Sequence, residues 1–418
     1  MRKNRNWFDP TTPYAQVLAA MIAVSTVCGQ EAEANAADCC APCAPKPIIC
    51  PPKCDTIQNP HMPGNCAYNA PAEINARCDG DVDFFGSASF IYWQTWVDNI
   101  AYAFVNNNPV SESLTPGIQG DYKELNFRFI PGFKVGLGAN LQRDDWDGYA
   151  EYTRVHGSQS SRSDGISSPD NLAPVWATFG QPFLIELFTS GGNAYSSAAA
   201  TYRNHLDFVD VEIGRKYFVG KQLVFRPAFG ARGAWILQSL HVNYNYPAFN
   251  PLLLDQTNVR VAEREDVNIY QRVHSWGIGP RIGLDMDWMA GYGIRFIGSG
   301  YLDILYTRYH LQDKTSLIAL AENIGINLLK PGQSSNFIEK ERLSTLRAHF
   351  DTELGLGWGR YFLSNDWHID LSATYGWQIF FSQNMFRKTF NRMVPTSFKE
   401  PLGSLFIQGL TFTARLDY

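Results

Sequence analysis

The fold can be worked out from the last seventeen residues, 402–418, LGSLFIQGLTFTARLDY. From Phe406 onward, apolar and polar residues largely alternate, up to the terminal Tyr418. This alternation predicts a strand with one apolar and one polar face. Chain ends of soluble domains tend to fray, whereas the last strand of a transmembrane barrel must pair because lipid cannot satisfy a free edge. The strand alone is compatible with a soluble sandwich or a transmembrane barrel.

Length and composition narrow the choice. A chain of 418 residues is long enough for one large barrel or for two to three ordinary domains. The net charge is only −5 and no basic block occurs, so no nucleic-acid partner is expected. Aromatic residues make up 14% and there are 34 glycines, which is typical of a barrel with aromatic girdles. The mean hydropathy of −0.22 argues against a bundle of transmembrane helices.

The N-terminus has the pattern of an export signal. Arg2, Lys3 and Arg5 precede a short apolar stretch at 14–27, and small-residue cleavage sites follow at 32–36. These features predict a cleaved bacterial signal peptide over residues 1–36. The alternative, a membrane anchor, is disfavoured because the stretch is too short to span a bilayer.

All eight cysteines precede residue 79, in a stretch poor in periodic apolar residues. Residues 37–80 are therefore predicted to form a Cys- and Pro-rich periplasmic extension rather than a packed domain. Cleavage of the signal leaves an odd number of cysteines, which favours a bridge to another chain. A metal site is the weaker reading, because no His pair accompanies the cysteine pairs. The predicted disulfide-forming residues are Cys39, Cys40, Cys43, Cys50, Cys54, Cys66 and Cys78.

Residues 81–418 contain a regular series of alternating segments. The ten predicted strands lie at about 83–96, 122–141, 146–156, 202–219, 223–243, 275–288, 293–310, 343–362, 367–379 and 402–418. Short turns follow the even strands and long connections follow the odd strands, as in outer-membrane proteins. The sequence therefore predicts an all-β, antiparallel transmembrane β-barrel of ten strands, with ten to fourteen accepted. We expect it in the outer membrane, surrounded by lipid, with loops outside and both termini periplasmic.

One parity of each strand is polar, and in a membrane barrel that parity faces the lumen. The predicted pore-lining residues are Lys134, Asp210, Glu212, Arg226, Arg232, Arg281, Asp285, Asp287, Arg347, Asp351, Glu353, Asp370 and Arg415. Charges of both signs on one wall imply water or dense ion pairing. Water would make the barrel a general diffusion pore, narrowed where the loop at 157–200 or at 311–340 folds inward. For any single charge, an ion pair across the lumen is the simpler interpretation.

No catalytic pattern stands out. His349 and Asp351 share a face, as do His368 and Asp370, but this spacing is common on polar faces. Nucleophile elbows, phosphate loops and His clusters with metal-ligand spacing do not occur. We therefore expect no enzyme activity, no metal and no cofactor.

Three short motifs carry a family resemblance: FIYWQTW at 90–96, PGFKVGLG at 131–138 and YTR at 152–154, behind a Cys-rich exported N-terminus. In these features the chain resembles the major outer membrane protein family of Legionella type, in the form found in Chlamydia-related bacteria. The resemblance covers about residues 80–418. It implies an abundant surface porin, often disulfide cross-linked and trimeric, without catalytic residues. Classical chlamydial porins scatter cysteines through the barrel, whereas cross-links here would run through a periplasmic tail.

The sequence thus predicts a porin-like channel for passive diffusion of small hydrophilic solutes, with a disulfide cross-linking role in the cell envelope. The alternative is a structural or adhesive surface barrel that displays its loops and has no open pore.

Overall fold

The computed structural model describes residues 82–106, 120–141, 146–164, 172–176, 197–219, 222–245, 267–317, 335–362, 367–386 and 403–417. The predicted signal peptide, the cysteine-rich extension and all eight cysteines lie outside these residues. The strands are β1 (Asp83–Val97), β2 (Ala103–Asn106), β3 (Gly120–Lys123), β4 (Phe129–Leu141), β5 (Trp146–Asp164), β6 (Leu172–Pro174), β7 (Ser197–Arg215), β8 (Tyr217–Val219), β9 (Leu223–Asn245), β10 (Val267–Gly291), β11 (Ile294–Leu317), β12 (Ser335–Phe362), β13 (Trp367–Phe380) and β14 (Leu405–Asp417).

In the ranges that the structure describes, ten strands form one closed antiparallel barrel. Their order is β1, β4, β5, β7, β9, β10, β11, β12, β13, β14, and β14 pairs back onto β1. The closing register runs from Phe85 opposite Asp417 to Val97 opposite Leu405. The predicted ten-stranded transmembrane-type barrel, closed by the last strand, is therefore confirmed. No described helix is long and apolar enough to span a bilayer.

The two ends of the barrel differ in their connections. Residues 142–145, 220–222, 292–293 and 363–366 join strands at one end, where Asp83 and Asp417 also lie. Strand β8 continues β7 along β9 in the same register. We call this the short-connection end. The other end, the long-connection end, carries the connections 98–128, 165–196, 246–266, 318–334 and 381–404. The alternation of short and long connections follows the predicted order.

Most strands extend further than the alternation indicated. The strands β9, β10, β11 and β12 are 23, 25, 24 and 28 residues long. A tilted strand needs only about 9–11 residues to cross a bilayer, so this side of the barrel continues beyond the membrane. The turn between the predicted strands 275–288 and 293–310 is formed by Tyr292 and Gly293.

The second predicted strand, 122–141, is not continuous. Its first residues form β3, and the wall strand β4 begins only at Phe129. Between them Leu125 is buried in the interior. Side-chain amides replace the missing ladder, since Gln94 donates to the Phe127 carbonyl oxygen at 2.8 Å and Gln159 donates to the Arg128 carbonyl oxygen at 2.8 Å.

The outside of the barrel is apolar. On β14, Leu410, Phe412 and Leu416 are exposed, whereas Thr411 and Asp417 on the opposite parity are buried. The predicted division of this strand into a lipid face and an inner face therefore holds for its described residues. Tyr418 lies outside them.

Connections fill the long-connection end. β2 pairs with β3 and β6 in a small sheet of its own. The indole of Trp176 donates to the Ala101 carbonyl oxygen at 2.7 Å, and the phenol of Tyr244 donates to the Tyr102 carbonyl oxygen at 2.5 Å. Residues 172–176 belong to the loop 157–200 that was expected to fold inward, and Leu172 and Trp176 are buried. In the other candidate loop, 311–340, the described residues lie in β11 and β12.

Gly409 generates a test of barrel closure. It lies on β14 with a φ of +153°, and a Cβ there would come within 2.3 Å of the Tyr92 carbonyl oxygen on β1. We expect Gly409→Ala to destabilise the folded barrel by about 1–3 kcal/mol, because strain enters the closing strand pair. Urea unfolding in lipid vesicles, followed by tryptophan fluorescence, measures the change.

Gly300→Ala is the matched control, since a Cβ at Gly300 meets no heavy atom within 4 Å. Equal unfolding midpoints for the two variants would contradict the described pairing of β14 with β1.

Candidate functional site

A chamber of about 300 Å³ lies inside the barrel, between its middle and the short-connection end. All ten wall strands contribute inward-facing residues to it. Twelve of the thirteen predicted pore-lining charges border the chamber. They are Lys134, Asp210, Glu212, Arg226, Arg232, Arg281, Asp285, Asp287, Asp351, Glu353, Asp370 and Arg415. That solutes pass along them stays a prediction.

Arg347 is the thirteenth charge, and it lies apart from the chamber. Its Nε donates to the Tyr309 phenol oxygen at 3.2 Å, and its Nη2 lies 3.6 Å from Met385 Sδ. Met385 follows β13 and is buried inside the barrel. Arg347 therefore faces inward but packs against a connection, which parity along the strand does not reveal.

Among the further polar residues that line the chamber and were missed in the sequence are Asp147, Tyr149, Glu151, Lys216 and Arg295. The first three occupy alternate positions of β5, the same signal that identified the other charges. Lys216 interrupts the strand between β7 and β8, so no alternation marks it.

Arg226 is the centre of an ion-pair network near the short-connection end. From β9, its guanidinium donates to Asp147 on β5 at 2.8 Å, to Glu212 on β7 at 3.0 Å and to Asp285 on β10 at 2.7 Å. One side chain thus links four strands. Charge-assisted contacts of this kind are the strong ones, because guanidinium geometry matches carboxylate oxygens.

Arg295 and Lys134 make further links between strands. Arg295 on β11 donates to Asp287 at 3.0 Å and, with two nitrogens, to Asp370 on β13. Lys134 on β4 lies 3.2 Å from a Glu151 oxygen. The same ammonium lies 3.4 Å from Glu353 on β12, which is four strands away around the wall. The Lys134–Glu353 pair therefore spans the lumen.

A central ion-pair cluster closes the chamber toward the middle of the barrel. It consists of Arg232, Arg281, Asp210, Asp303, Asp351 and His349, all of them buried. Arg232 donates to Asp210 through two nitrogens, at 2.5 and 2.7 Å, and to Asp351 at 3.0 Å. Arg281 donates to Asp303 at 3.0 Å and to Asp351 at 2.9 Å. Buried charges persist only with such partners.

The two His–Asp pairs noted in the sequence take other partners. His349 Nδ1 lies 2.5 Å from Asp303 on the neighbouring strand, and His368 Nδ1 lies 3.3 Å from Asp417. Both histidines are buried. Cross-strand register, rather than the spacing of two along the chain, decides which carboxylate each imidazole meets.

Asp303, His349 and Asp351 are close enough together to be considered as metal ligands. However, Nη1 of Arg232 lies 3.3 Å from Asp303, 2.9 Å from His349 Nδ1 and 3.0 Å from Asp351. A guanidinium therefore already contacts all three, and its positive charge disfavours a cation at the same place. The donor set fits an ion-pair cluster better than a metal centre.

An apolar layer lies directly on the central cluster. Phe208 on β7 and Phe380 on β13 stack with ring centroids 5.3 Å apart. Their strands are five positions apart in the ten-stranded order, so they belong to opposite walls. The Arg232 guanidinium lies 5.6 Å from the Phe208 centroid, and the His349 ring lies 3.9 Å from that of Phe380. The two rings thus close the lumen across its width.

Beyond this layer the interior is an apolar core. Trp93, Leu206, Ile236 and Leu305 are among its buried residues. The expectation of a continuous water-filled lumen therefore does not hold for the described residues. The polar chamber ends at the ring pair, and a packed core fills the rest toward the long-connection end.

A closed antiparallel barrel with this apolar outer face is an outer-membrane β-barrel. Residues 83–416 match the family model described as Legionella pneumophila major outer membrane protein precursor. The chain therefore belongs to the Legionella major outer membrane protein family, which confirms the resemblance noted in the sequence. No curated protein matches it.

Several solved structures are similar to this chain at low identity. A Pseudomonas aeruginosa FadL homologue is 11% identical, with 86% of this chain and 95% of that chain covered and a TM-score of 0.28. The monoaromatic hydrocarbon channel CymD is 8% identical, with 85% and 94% covered and a TM-score of 0.29. The Pseudomonas putida toluene transporter TodX is 10% identical, with 84% and 92% covered and a TM-score of 0.23.

The central cluster generates a stability prediction. Arg232→Met leaves the Asp210 carboxylate buried without its guanidinium, so the free energy of unfolding should fall by about 3–5 kcal/mol. Arg162→Met is the matched control. Arg162 pairs with Asp164 at an exposed position, and its loss should cost about 0–1 kcal/mol. Urea titrations in lipid vesicles give both values; equal losses would show that the cluster does not stabilise the barrel.

Proposed function

We propose that the protein is a gated outer-membrane channel for small hydrophilic solutes. The observation that carries the proposal is the chamber of about 300 Å³, walled by charges of both signs. Toward the middle of the barrel it is closed by the central ion-pair cluster and the stacked rings of Phe208 and Phe380. A chamber of this size is at the lower end for small-molecule sites, so only small solutes fit. Passage would require the rings and the core beyond them to move aside.

The acidic and basic side chains on the chamber wall also influence which ions the channel would select. The acidic residues around the chamber are Asp147, Glu151, Asp210, Glu212, Asp285, Asp287, Asp351, Glu353 and Asp370, and the basic ones are Lys134, Lys216, Arg226, Arg232, Arg281, Arg295 and Arg415. Nine acids against seven bases favour cations weakly over anions. We therefore expect little discrimination between solutes of opposite charge.

Planar bilayer recordings test whether the rings of Phe208 and Phe380 act as the gate of the proposed channel. Phe208→Ala combined with Phe380→Ala removes the contact between opposite walls, and a stacked aromatic pair contributes about 0.5–1.5 kcal/mol. The open probability of the double variant should exceed that of the wild type by about two- to tenfold.

The control variant is Phe229→Ala with Phe412→Ala, which alters two rings exposed on the outer wall. Its open probability in planar bilayers should equal that of the wild type. A folded double variant of Phe208 and Phe380 that stays silent would overturn the proposed channel.

A structural or adhesive surface barrel is the second candidate. It is favoured by the contacts that tie opposite walls together, the Lys134–Glu353 pair and the Phe208–Phe380 stack. Such contacts suit a rigid scaffold that carries loops and never opens. This candidate would be favoured if the wild type and both double phenylalanine variants insert into the bilayer but show no conductance. Neither candidate involves catalysis.

We place the long-connection end outside the cell and both termini in the periplasm, as the short turns and long loops of outer-membrane barrels indicate.

Residues 37–80 would then carry seven cysteines in an oxidising compartment, where bridges to other envelope proteins or within a homotrimer can form. Non-reducing gels of native envelopes should show high-mass species that collapse to monomer on reduction. Monomer alone on those gels would contradict the cross-linking role.

A further inference from the structure

The outer wall changes from apolar to basic along one line of cross-strand neighbours. The last row on the apolar side is formed by Tyr152, Val209, Gly233, Ile278, Tyr306 and Leu346, each in register with the next. The following row toward the long-connection end contains Trp235 and Trp276. Trp and Tyr side chains concentrate at membrane–water interfaces, so this line lies at the membrane surface.

From the row of Trp235 and Trp276 onward, the same outer face is rich in cations. Three successive rows across β5, β7, β9, β10, β11 and β12 carry six permanently charged side chains, which we call the basic band. These are Arg154, Arg203, Arg272, Arg308, Arg342 and Lys340. Four histidines lie in the middle row: His156, His205, His274 and His310. Six cations against one carboxylate, Asp207, leave an excess of five positive charges before any histidine is protonated.

Little within the barrel neutralises this charge. Asp207 is already engaged by the Tyr152 phenol at 2.7 Å and by His156 Nε2 at 3.0 Å. Among the described residues, Arg203, Arg272 and Arg308 have no carboxylate within ion-pair distance, and all three are exposed. By contrast, Arg226, Arg232 and Arg281 inside the barrel are each paired with two or three carboxylates. Arg203, Arg272 and Arg308 of the basic band thus lack the carboxylate partners that these interior arginines have.

The position of the basic band determines which anion it can meet. The first row of the band contains Trp235 and Trp276 and directly borders the apolar outer surface. The guanidinium groups of the band therefore lie at the depth of lipid headgroups rather than at the tips of loops. Guanidinium forks match phosphate oxygens in a bidentate manner. We propose that the basic band binds the phosphate groups of membrane lipid in the leaflet at the long-connection end. Lipid phosphates would supply the negative charge that Arg203, Arg272 and Arg308 do not meet within the described barrel.

The test is native mass spectrometry of the detergent-solubilised full chain titrated with lipid A, once carrying its two phosphates and once dephosphorylated. The wild type should retain the phosphorylated form and lose it as salt rises, because exposed charges are screened. Arg272→Gln with Arg308→Gln should weaken binding about thirtyfold, since two cations near a lipid surface together contribute on the order of 2 kcal/mol. Gel mobility with and without heating shows whether each variant is folded.

The matched control removes two other exterior arginines, Arg162→Gln with Arg360→Gln. Arg162 is paired with Asp164, and neither residue belongs to the basic band. This variant should bind phosphorylated lipid A like the wild type.

Equal binding of the two lipid forms by the wild type would overturn the proposal, and this comparison needs no variant. Equal weakening by both double variants would also overturn it. A heparin fragment that binds the wild type more tightly than phosphorylated lipid A, and is lost in Arg272→Gln with Arg308→Gln, would reassign the band to a soluble polyanion.

Discussion

The pairing of β14 with β1 is the constraint on which the rest of the structure depends. In lipid no water replaces a missing backbone hydrogen bond, so a sheet must close completely. Closure at ten strands leaves a narrow barrel, in which side chains from facing walls meet. The Phe208–Phe380 stack and the Lys134–Glu353 pair are direct consequences, since each joins strands that are far apart around the wall.

A narrow interior also dictates how charge is held. Arg226, Arg232 and Arg281 lie where little water reaches them, and each is paired with at least two carboxylates. Unpaired, any of them would cost several kcal/mol, so the inner wall carries acids and bases in nearly equal number. Mixed charge on a lumen face, which suggests open water in a wide barrel, here denotes dense pairing. The function proposed for the protein therefore needs a movement that opens the interior.

The alternation along the chain was sufficient to predict the barrel, its ten strands, the closing strand and the face on which most interior charges lie. It did not predict what lies across the lumen, because parity is a property of one strand and contacts belong to several. His349 illustrates the limit: Asp351 is its neighbour on the chain, but Asp303 is its partner in space. The apolar core was missed for a related reason. Residues 198–208 of β7 also alternate, but their apolar side chains, for example Leu206 and Phe208, take the inward positions that Asp210 and Glu212 take further along the strand. This reversal of parity marks the packed interior.

The central claim, that the last strand closes a ten-stranded barrel against the first, is tested most directly by cross-linking at the seam. Ala88 and Ala414 are registered partners, whereas Ala88 and Leu410 are four residues out of register. All native cysteines precede residue 79, so peptide mapping separates the engineered bridge from the others. The account predicts that Ala88→Cys with Ala414→Cys forms a disulfide in the folded membrane protein and that Ala88→Cys with Leu410→Cys does not. A bridge in the mismatched pair, or none in the matched one, would contradict the closed barrel.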